Sequence, residues 1–266
     1  DRSKNVVLFD QSAKRFYMAQ TGLIPPAGGA GLPNHHTVMT LVPGDLELRE
    51  GSNEVQVRFE SPEVGGVKLA KIYTFKRGDP VIGVRHEVIN SSGAAISPRL
   101  YLQFVRDGNP PEGESSFYFT FTGPAVYTDA TKFQKVDFKS IEKRKPGDKP
   151  DHATSGDSGW VAMVQHYFAS AWLSPAAGAR EFRSARVAAT PGMMEHYTVA
   201  MVLPMGEVAP GATKVHESTL FAGPQEENKL AALAPGLELV KDYGWLTVLS
   251  KPLFWLLTQL HAILAN

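Results

Sequence analysis

Short segments with the pattern of β-strands, separated by turns, occupy most of this chain. Val55–Glu60 alternates between apolar and polar residues, as expected for a strand with one buried face. Val67–Phe75 and Val81–Ile89 flank the turn sequence Arg77-Gly78-Asp79-Pro80, and this arrangement predicts a β-hairpin. Further strands are predicted at Arg99–Val105, Phe117–Thr122, Trp160–Phe168, Arg180–Ala188, Glu195–Leu203 and Lys214–Phe221.

The spacing of these segments predicts the fold class. The 24 glycines and 19 prolines lie mostly between the strands, where tight turns require them. We therefore expect a mainly β protein whose residues 1–222 form one large antiparallel β-sandwich. Pro25–Gly31 and Lys145–Gly159 are rich in Pro, Gly and polar residues, and both are predicted to be surface loops.

The character of the chain changes after Gly223. Pro224–Ala234 carries acidic residues early and strong helix formers throughout, which predicts a short helix. Pro235 and Gly236 are expected to end it. We therefore assign residues 223–242 to a short helix and connector, and residues 243–266 to a separate C-terminal helix.

Residues 243–266 form the most apolar stretch of the chain, yet they do not have the pattern of a membrane span. At about 100° per residue, most of the polar side chains fall opposite one apolar stripe. Lys251 and Pro252 interrupt the run of roughly 20 apolar residues that a spanning helix needs. The pattern favours an amphipathic helix on a membrane surface or against a partner, although a helix in the protein's own core has the same period. The predicted membrane-interface residues are Trp245, Leu249, Leu253, Leu256, Leu260 and Ile263.

Composition narrows the classes of partner and cofactor. Lys and Arg total 27 and Asp and Glu total 27, so no net positive field favours nucleic acid. The chain has no cysteine, which excludes disulfides and thiolate metal sites. We predict no metal, no cofactor and no nucleic-acid partner.

The histidines do not form a recognisable catalytic pattern. His35 and His36 are adjacent in sequence and lack the spacing of a metal motif. His86 is in phase with the apolar face of its strand and is expected to be a hydrogen-bonded core histidine, whereas Glu87 points to the other face. His166 and His196 fall in predicted strands, and the sequence places no carboxylate beside them.

Nucleophile and phosphate-binding motifs are also missing. The sequence contains no G-x-S-x-G elbow and no glycine-rich phosphate loop. We therefore predict that the chain is not an enzyme and has no catalytic residue. The sequence leaves open the hypothesis that exposed aromatic residues form a groove that binds a sugar or a peptide.

The end of the chain resembles a known family. Asp242-Tyr-Gly-Trp-Leu246 and Lys251-Pro-Leu-Phe-Trp-Leu-Leu257 are similar to the segment that precedes the second transmembrane helix of YidC membrane-protein insertases. Upstream motifs follow in the same order. They are Tyr73–Asp79, Thr122–Thr128, Lys132–Phe138, Gly159–Trp172 and the Gly223-Pro224-Gln225 start of the short helix. The chain thus resembles the large first periplasmic domain of these insertases.

The resemblance implies a fold and a location. It implies a large twisted β-sandwich, or supersandwich, similar to sugar-epimerase and carbohydrate-binding folds. It also implies that residues 243–266 form an interfacial helix leading to a transmembrane segment beyond residue 266. The protein would then reside in the bacterial inner membrane, with this domain in the periplasm.

The resemblance also implies partners, namely the lipid surface, components of the Sec translocon and nascent membrane proteins. The domain would serve partner contact or structural placement for an insertase and chaperone. The insertase residues lie among membrane helices, so none maps onto this chain. The alternatives left open are a periplasmic carbohydrate-binding or sugar-epimerase-like sandwich, and a purely structural spacer that holds the terminal helix.

Overall fold

The computed structural model describes residues 6–12, 14–111, 120–187 and 194–241. The helices are α1 (Phe138–Lys143), α2 (Glu227–Leu233) and a 3₁₀ helix at Leu237–Val240. The strands are β1 (Asp10–Gln11), β2 (Phe16–Ile24), β3 (Thr40–Leu41), β4 (Glu54–Glu60), β5 (Val67–Lys76), β6 (Val81–Asn90), β7 (Arg99–Asp107), β8 (Gly123–Thr128), β9 (Lys132–Lys135), β10 (Ser155–Gly156), β11 (Trp160–Val164), β12 (Phe168–Leu173), β13 (Arg180–Val187), β14 (His196–Pro204) and β15 (Thr213–Pro224).

The strands form two antiparallel sheets. The six-stranded sheet has the order β1-β2-β7-β14-β13-β10, and the nine-stranded sheet has the order β3-β4-β5-β6-β15-β12-β11-β8-β9. The two sheets enclose the main core, to which β7 contributes Leu100, Leu102 and Phe104 and the nine-stranded sheet contributes Val161 and Trp172. This arrangement confirms the predicted mainly β fold with two antiparallel sheets.

A second apolar cluster lies on the outer face of the nine-stranded sheet. Successive strand residues point to opposite faces, so Tyr127, Trp160 and Phe221 project away from the main core. Leu230 of α2 and Leu237 of the 3₁₀ helix cover them and are fully buried. The C-terminal helices therefore pack on the sheet.

Most predicted strands are confirmed. The hairpin around Arg77–Pro80 forms between β5 and β6, and the amide of Asp79 donates to the carbonyl of Lys76 at 3.2 Å. The single strand predicted at Trp160–Phe168 is wrong, because β11 ends at Val164 and the chain reverses before β12. Periodicity could not reveal this turn, since all residues of β11 and all but one of β12 are buried and apolar side chains run through both strands.

The region around residue 120 also differs from the prediction. Of the predicted strand Phe117–Thr122, residues 117–119 lie outside the described residues, and residues 120–122 lie before β8 begins at Gly123. Strands β8 and β9 and helix α1 were not predicted. The predicted loop Lys145–Gly159 contains the short strand β10 and the buried His152.

The short helix after Gly223 is confirmed in a shorter form. Strand β15 continues to Pro224, so α2 begins only at Glu227. It ends at Leu233, and Gly236 takes the left-handed conformation with φ 73°. The tail from Asp242 onward, with all predicted membrane-interface residues, lies outside the described residues.

Candidate functional site

The segment that follows β15 is held on the outer face of the nine-stranded sheet. We call residues 225–240 the connector. At its start, the amide of Gln225 donates to the carbonyl of Tyr167 at 3.0 Å. The Gln225 side chain donates to the carbonyls of Gln165 and Phe168 at 2.7 and 3.1 Å. One residue therefore ties the connector to the turn between β11 and β12.

The far end of the connector is held by aromatic rings. Trp160 donates its indole N–H to the carbonyl of Pro235 at 3.0 Å. The ring of Tyr127 stacks on Trp160, with centroids 5.4 Å apart and planes 6° from parallel. A Cβ atom at Gly236 would collide with the Tyr127 ring. Glycine is thus required here both for its positive φ and for this close approach.

Buried apolar side chains complete the attachment. Leu230, Leu237 and Val240 are fully buried against the sheet. Lys229 also pairs with Asp79 at 2.9 Å, across partly exposed surface where such a pair adds about 1 kcal/mol or less. The connector is therefore attached to the sheet along its length.

A second constellation lies between the two sheets. The strand register aligns Lys71 of β5, His86 of β6 and His216 of β15 on the inner face of the nine-stranded sheet. Thr21 of the opposite sheet meets this polar row: its carbonyl accepts the Lys71 ammonium at 2.8 Å, and its hydroxyl lies 3.1 Å from Nε2 of His86. At the other end, Ser174 Oγ lies 3.3 Å from His216 Nε2.

Burial controls the protonation of this polar row. Burial lowers the pKa of Lys71 from 10.5 to about 8. It lowers the pKa of His86 to about 3, and the positive charge of Lys71 and the His216 ring add to the effect. Burial also lowers the pKa of His216. Both imidazoles are therefore neutral at pH 7.

The prediction for His86 is confirmed in its burial and wrong in one detail. His86 is fully buried and Glu87 lies on the opposite face, where it pairs with Arg58 and Arg85 at 2.9 and 3.0 Å. However, Nδ1 of His86 is buried without a hydrogen-bond partner among the described residues. An uncharged ring tolerates this better than a charged one, in keeping with the lowered pKa.

Two further histidines, His166 and His196, contact residues of neighbouring elements. His166 lies in the turn between β11 and β12 and pairs with the hydroxyl of Thr120. His196 stacks on Phe16 with ring centroids 4.2 Å apart and lies opposite Asp107 in the sheet. The Asp107 carboxylate accepts hydrogen bonds from the backbone N–H groups of Phe16 and Asn109, so it holds these two backbone segments in place. Within the described parts of the chain, no cluster of His, Asp and Glu could hold a metal ion.

Sequence reasoning missed the two anchored ends of the connector and the polar row. One signal was present for the row, because Lys71 falls in phase with the apolar Leu69 and Tyr73 on β5. Gly236 directly after Pro235 marks the end of α2, but its contact with Tyr127 depends on distant parts of the chain. No helix within the described residues is both long and apolar enough to cross a bilayer.

Comparison with solved structures finds remote similarities. The chain is similar to a galactose mutarotase related enzyme from Lactobacillus acidophilus, with a TM-score of 0.39 and 9% identity over 69% of this chain and 70% of that chain. It is equally similar to the heparan sulfate lyase HepC from Pedobacter heparinus, with a TM-score of 0.39 and 9% identity over 76% of this chain and 24% of that chain. Similarity at this level gives no information about function.

Comparison of sequences is decisive. The chain is 52% identical over 266 residues to the membrane protein insertase YidC of Janthinobacterium sp. (strain Marseille), and 50% identical over 267 residues to that of Herminiimonas arsenicoxydans. Each match covers 100% of this chain and 44% of the relative, so the chain spans less than half the length of these proteins. The family model described as the YidC periplasmic domain matches residues 1–256. The chain therefore belongs to the YidC periplasmic domain family.

Proposed function

We propose that this chain is the periplasmic domain of a bacterial inner-membrane protein insertase. The observation that carries the proposal is the alignment of the entire chain, at 52% and 50% sequence identity, with two proteins named membrane protein insertase. Insertion and folding of membrane proteins, alone or with the Sec translocon, are proposed for the full-length protein, since the chain spans 44% of those relatives.

Within that protein, the domain acts by placement and contact and without catalysis. The connector supports this role, because Gln225 anchors one end and Trp160 anchors the other. This proposal includes the division of the chain into residues 1–222, 223–242 and 243–266. The connector nevertheless packs on the nine-stranded sheet of the sandwich.

The tail, residues 243–266, serves as a helix on the membrane surface in this proposal. Its apolar stripe contains Trp245, Leu249, Leu253, Leu256, Leu260 and Ile263. Full burial of a large apolar side chain is worth about 1.5–3 kcal/mol, so partial burial of this stripe suffices for binding to lipid. The tryptophan is suited to the headgroup boundary.

Liposome flotation of the 266-residue chain tests the tail. With vesicles of phosphatidylethanolamine and phosphatidylglycerol, Leu253→Glu is expected to weaken binding at least tenfold, because it places a charge in the apolar stripe. Thr258→Glu is the matched control, since it adds the same charge on the polar side and is expected to change binding less than twofold. Equal affinity of Leu253→Glu and the unaltered chain would overturn the interfacial assignment.

A chimera tests the function itself. This chain would replace the aligned segment of the full-length Janthinobacterium insertase, and growth would be followed after depletion of the host insertase. Growth at the rate given by the unmodified insertase is expected. Failure to grow, with equal amounts of chimera and unmodified insertase in the membrane, would contradict the proposed function.

A further inference from the structure

A trough runs along strand β14 on the outer face of the six-stranded sheet. The outward side chains of β14 are short ones, Thr198, Ala200 and Val202. The register places Gln103 of β7 and Arg183 of β13 on either side of Ala200, and both are long. The short side chains of β14, bordered by Gln103 and Arg183, line a groove of about 360 Å³.

One end of the groove is formed by the loop that carries Asn34, His35 and His36. This loop lies directly on Gly22 of β2, where a Cβ atom would come within 2.6 Å of the Asn34 Cα and 2.5 Å of the Tyr101 hydroxyl. Glycine therefore allows the loop to close down on the sheet. The Tyr101 hydroxyl accepts the backbone N–H of His35 at 2.9 Å and lies 2.6 Å from its Nδ1.

The Tyr101 hydroxyl holds the loop through both contacts, since a hydroxyl can donate one hydrogen bond and accept two. Burial lowers the pKa of His35, and the nearby His36 and Lys71 lower it further. The His35 ring is therefore neutral at pH 7.

The charge of the groove is one-sided. Its described lining includes the guanidinium of Arg183 and contains no Asp or Glu. The Glu181 carboxylate pairs with Arg183 and also with Arg99 at 3.0 Å, so two guanidinium groups share one acid. Positive charge is left over for a ligand with a carboxylate.

We propose that this groove binds an extended peptide segment that has small side chains and one acidic residue. From Thr198 to Val202 the trough is about 13 Å long, which accommodates about four extended residues. The short floor residues leave room for small side chains, while Arg183 meets the carboxylate. The inference rests on the proposed function, in which polypeptides reach this domain.

Fluorescence anisotropy on the 266-residue chain tests the groove. Three dye-labelled probes are used, Ala-Ala-Glu-Ala-Ala and its counterparts with Gln or Lys in the centre. The acidic peptide is expected to bind about fivefold more tightly than the Gln peptide and more tightly still than the Lys peptide. Arg183→Gln is expected to remove the preference for the acidic peptide over the Gln peptide.

Two further variants separate the groove from the fold. Ala200→Phe fills the trough and is expected to weaken binding of the acidic peptide at least tenfold. Ala95→Phe, at an exposed alanine after β6, is the matched control and is expected to leave binding within twofold. Circular dichroism verifies that both variants fold.

Equal affinity for all three peptides, absence of binding at millimolar peptide, or full binding by a folded Ala200→Phe protein would each overturn the inference. Displacement of the peptide by galactose would also overturn it in favour of a sugar. These outcomes are independent of the proposed function, because liposome flotation depends on the tail and the growth assay reports the activity of the full-length insertase.

Discussion

Nζ of Lys71 lies 2.8 Å from the carbonyl oxygen of Thr21, and this hydrogen bond joins the two sheets inside the sandwich. The two residues are 7% and 2% exposed. An ammonium group loses hydration at such a position, and the carbonyl compensates only part of the loss. Since the Thr21 hydroxyl also meets His86, one threonine of the six-stranded sheet contacts two members of the polar row.

Lys71 makes the stability of the domain increase with pH in the alkaline range. Its pKa falls from 10.5 to about 8 on folding. Between these values the unfolded chain retains a proton that the folded protein has released, so the free energy of unfolding rises with pH. We expect a rise of about 1–2 kcal/mol between pH 7.5 and pH 9.5, measured by urea denaturation.

The matched variant is Lys71→Met, which keeps an unbranched apolar stem and cannot titrate. The free energy of unfolding of this variant is expected to be nearly constant over the same two pH units. A rise as large as that of the unaltered protein would assign the pH dependence to another group.

His86 is expected to lower the stability of the domain at acidic pH. The ring has a pKa of about 3 in the folded protein, against an ordinary value of 6.5. As pH falls below 6.5, the unfolded chain takes up a proton that the folded protein excludes, so stability is lost. We expect His86 alone to cost about 2 kcal/mol between pH 7.5 and pH 5.

Glutamine at this position provides the comparison. His86→Gln retains a side chain that can hydrogen-bond to Thr21 but has no titration in this range. Urea denaturation at the two pH values should show an acid loss smaller by about 2 kcal/mol than in the unaltered protein. Burial also lowers the pKa values of His152 and His216, so part of the acid loss remains. An undiminished loss in the variant would refute the role of His86.

The strands could be read from the sequence where local pattern determines them. Val55–Glu60 alternates because one face of β4 is solvated, and the turn at Arg77–Pro80 is set by its own residues. The turn within Trp160–Phe168 could not be read, because all residues of β11 and most of β12 are buried and alternation disappears. The order of the strands in the two sheets also could not be predicted from the sequence, because it depends on pairing between distant parts of the chain.

In the candidate site, too, local features could be predicted from the sequence and long-range contacts could not. The sequence indicates that a helix ends at Pro235 and Gly236, and the phase of β5 places Lys71 on an apolar face. It does not indicate that Trp160 meets Pro235, since 75 residues separate them. The groove along β14 likewise could not be predicted, because it depends on side chains of β7, β13 and β14 that become neighbours only in the folded sheet.

Gly236 is expected to be intolerant of any side chain. Alanine there must adopt φ 73° and also displace the Tyr127 ring. Gly211 is a matched control, because its φ is 75° and a Cβ atom there meets nothing within 4 Å. Gly211→Ala should cost about 1 kcal/mol, and Gly236→Ala at least about 2 kcal/mol more, in urea denaturation. Equal losses would show that the Tyr127 contact does not constrain the connector.

Trp160→Phe tests whether the connector is held locally by its hydrogen bond. The variant leaves the Pro235 carbonyl without its indole donor while keeping an aromatic ring beside Tyr127. We expect a loss of about 1–3 kcal/mol in the free energy of unfolding. We also expect faster hydrogen exchange at the amide of Leu230, which bonds within α2 to the carbonyl of Glu226 at 2.9 Å.

Trp172→Phe is the control for this experiment. Trp172 is 1% exposed and donates its indole N–H to Gln103 at 3.1 Å, but it does so in the core between the sheets. Its loss should lower global stability by a similar amount without opening α2 selectively, because the connector lies on the other face of the nine-stranded sheet. If both variants changed exchange at Leu230 in proportion to global stability alone, the connector would unfold only with the whole domain, and the indole of Trp160 would have no separate role in directing the tail.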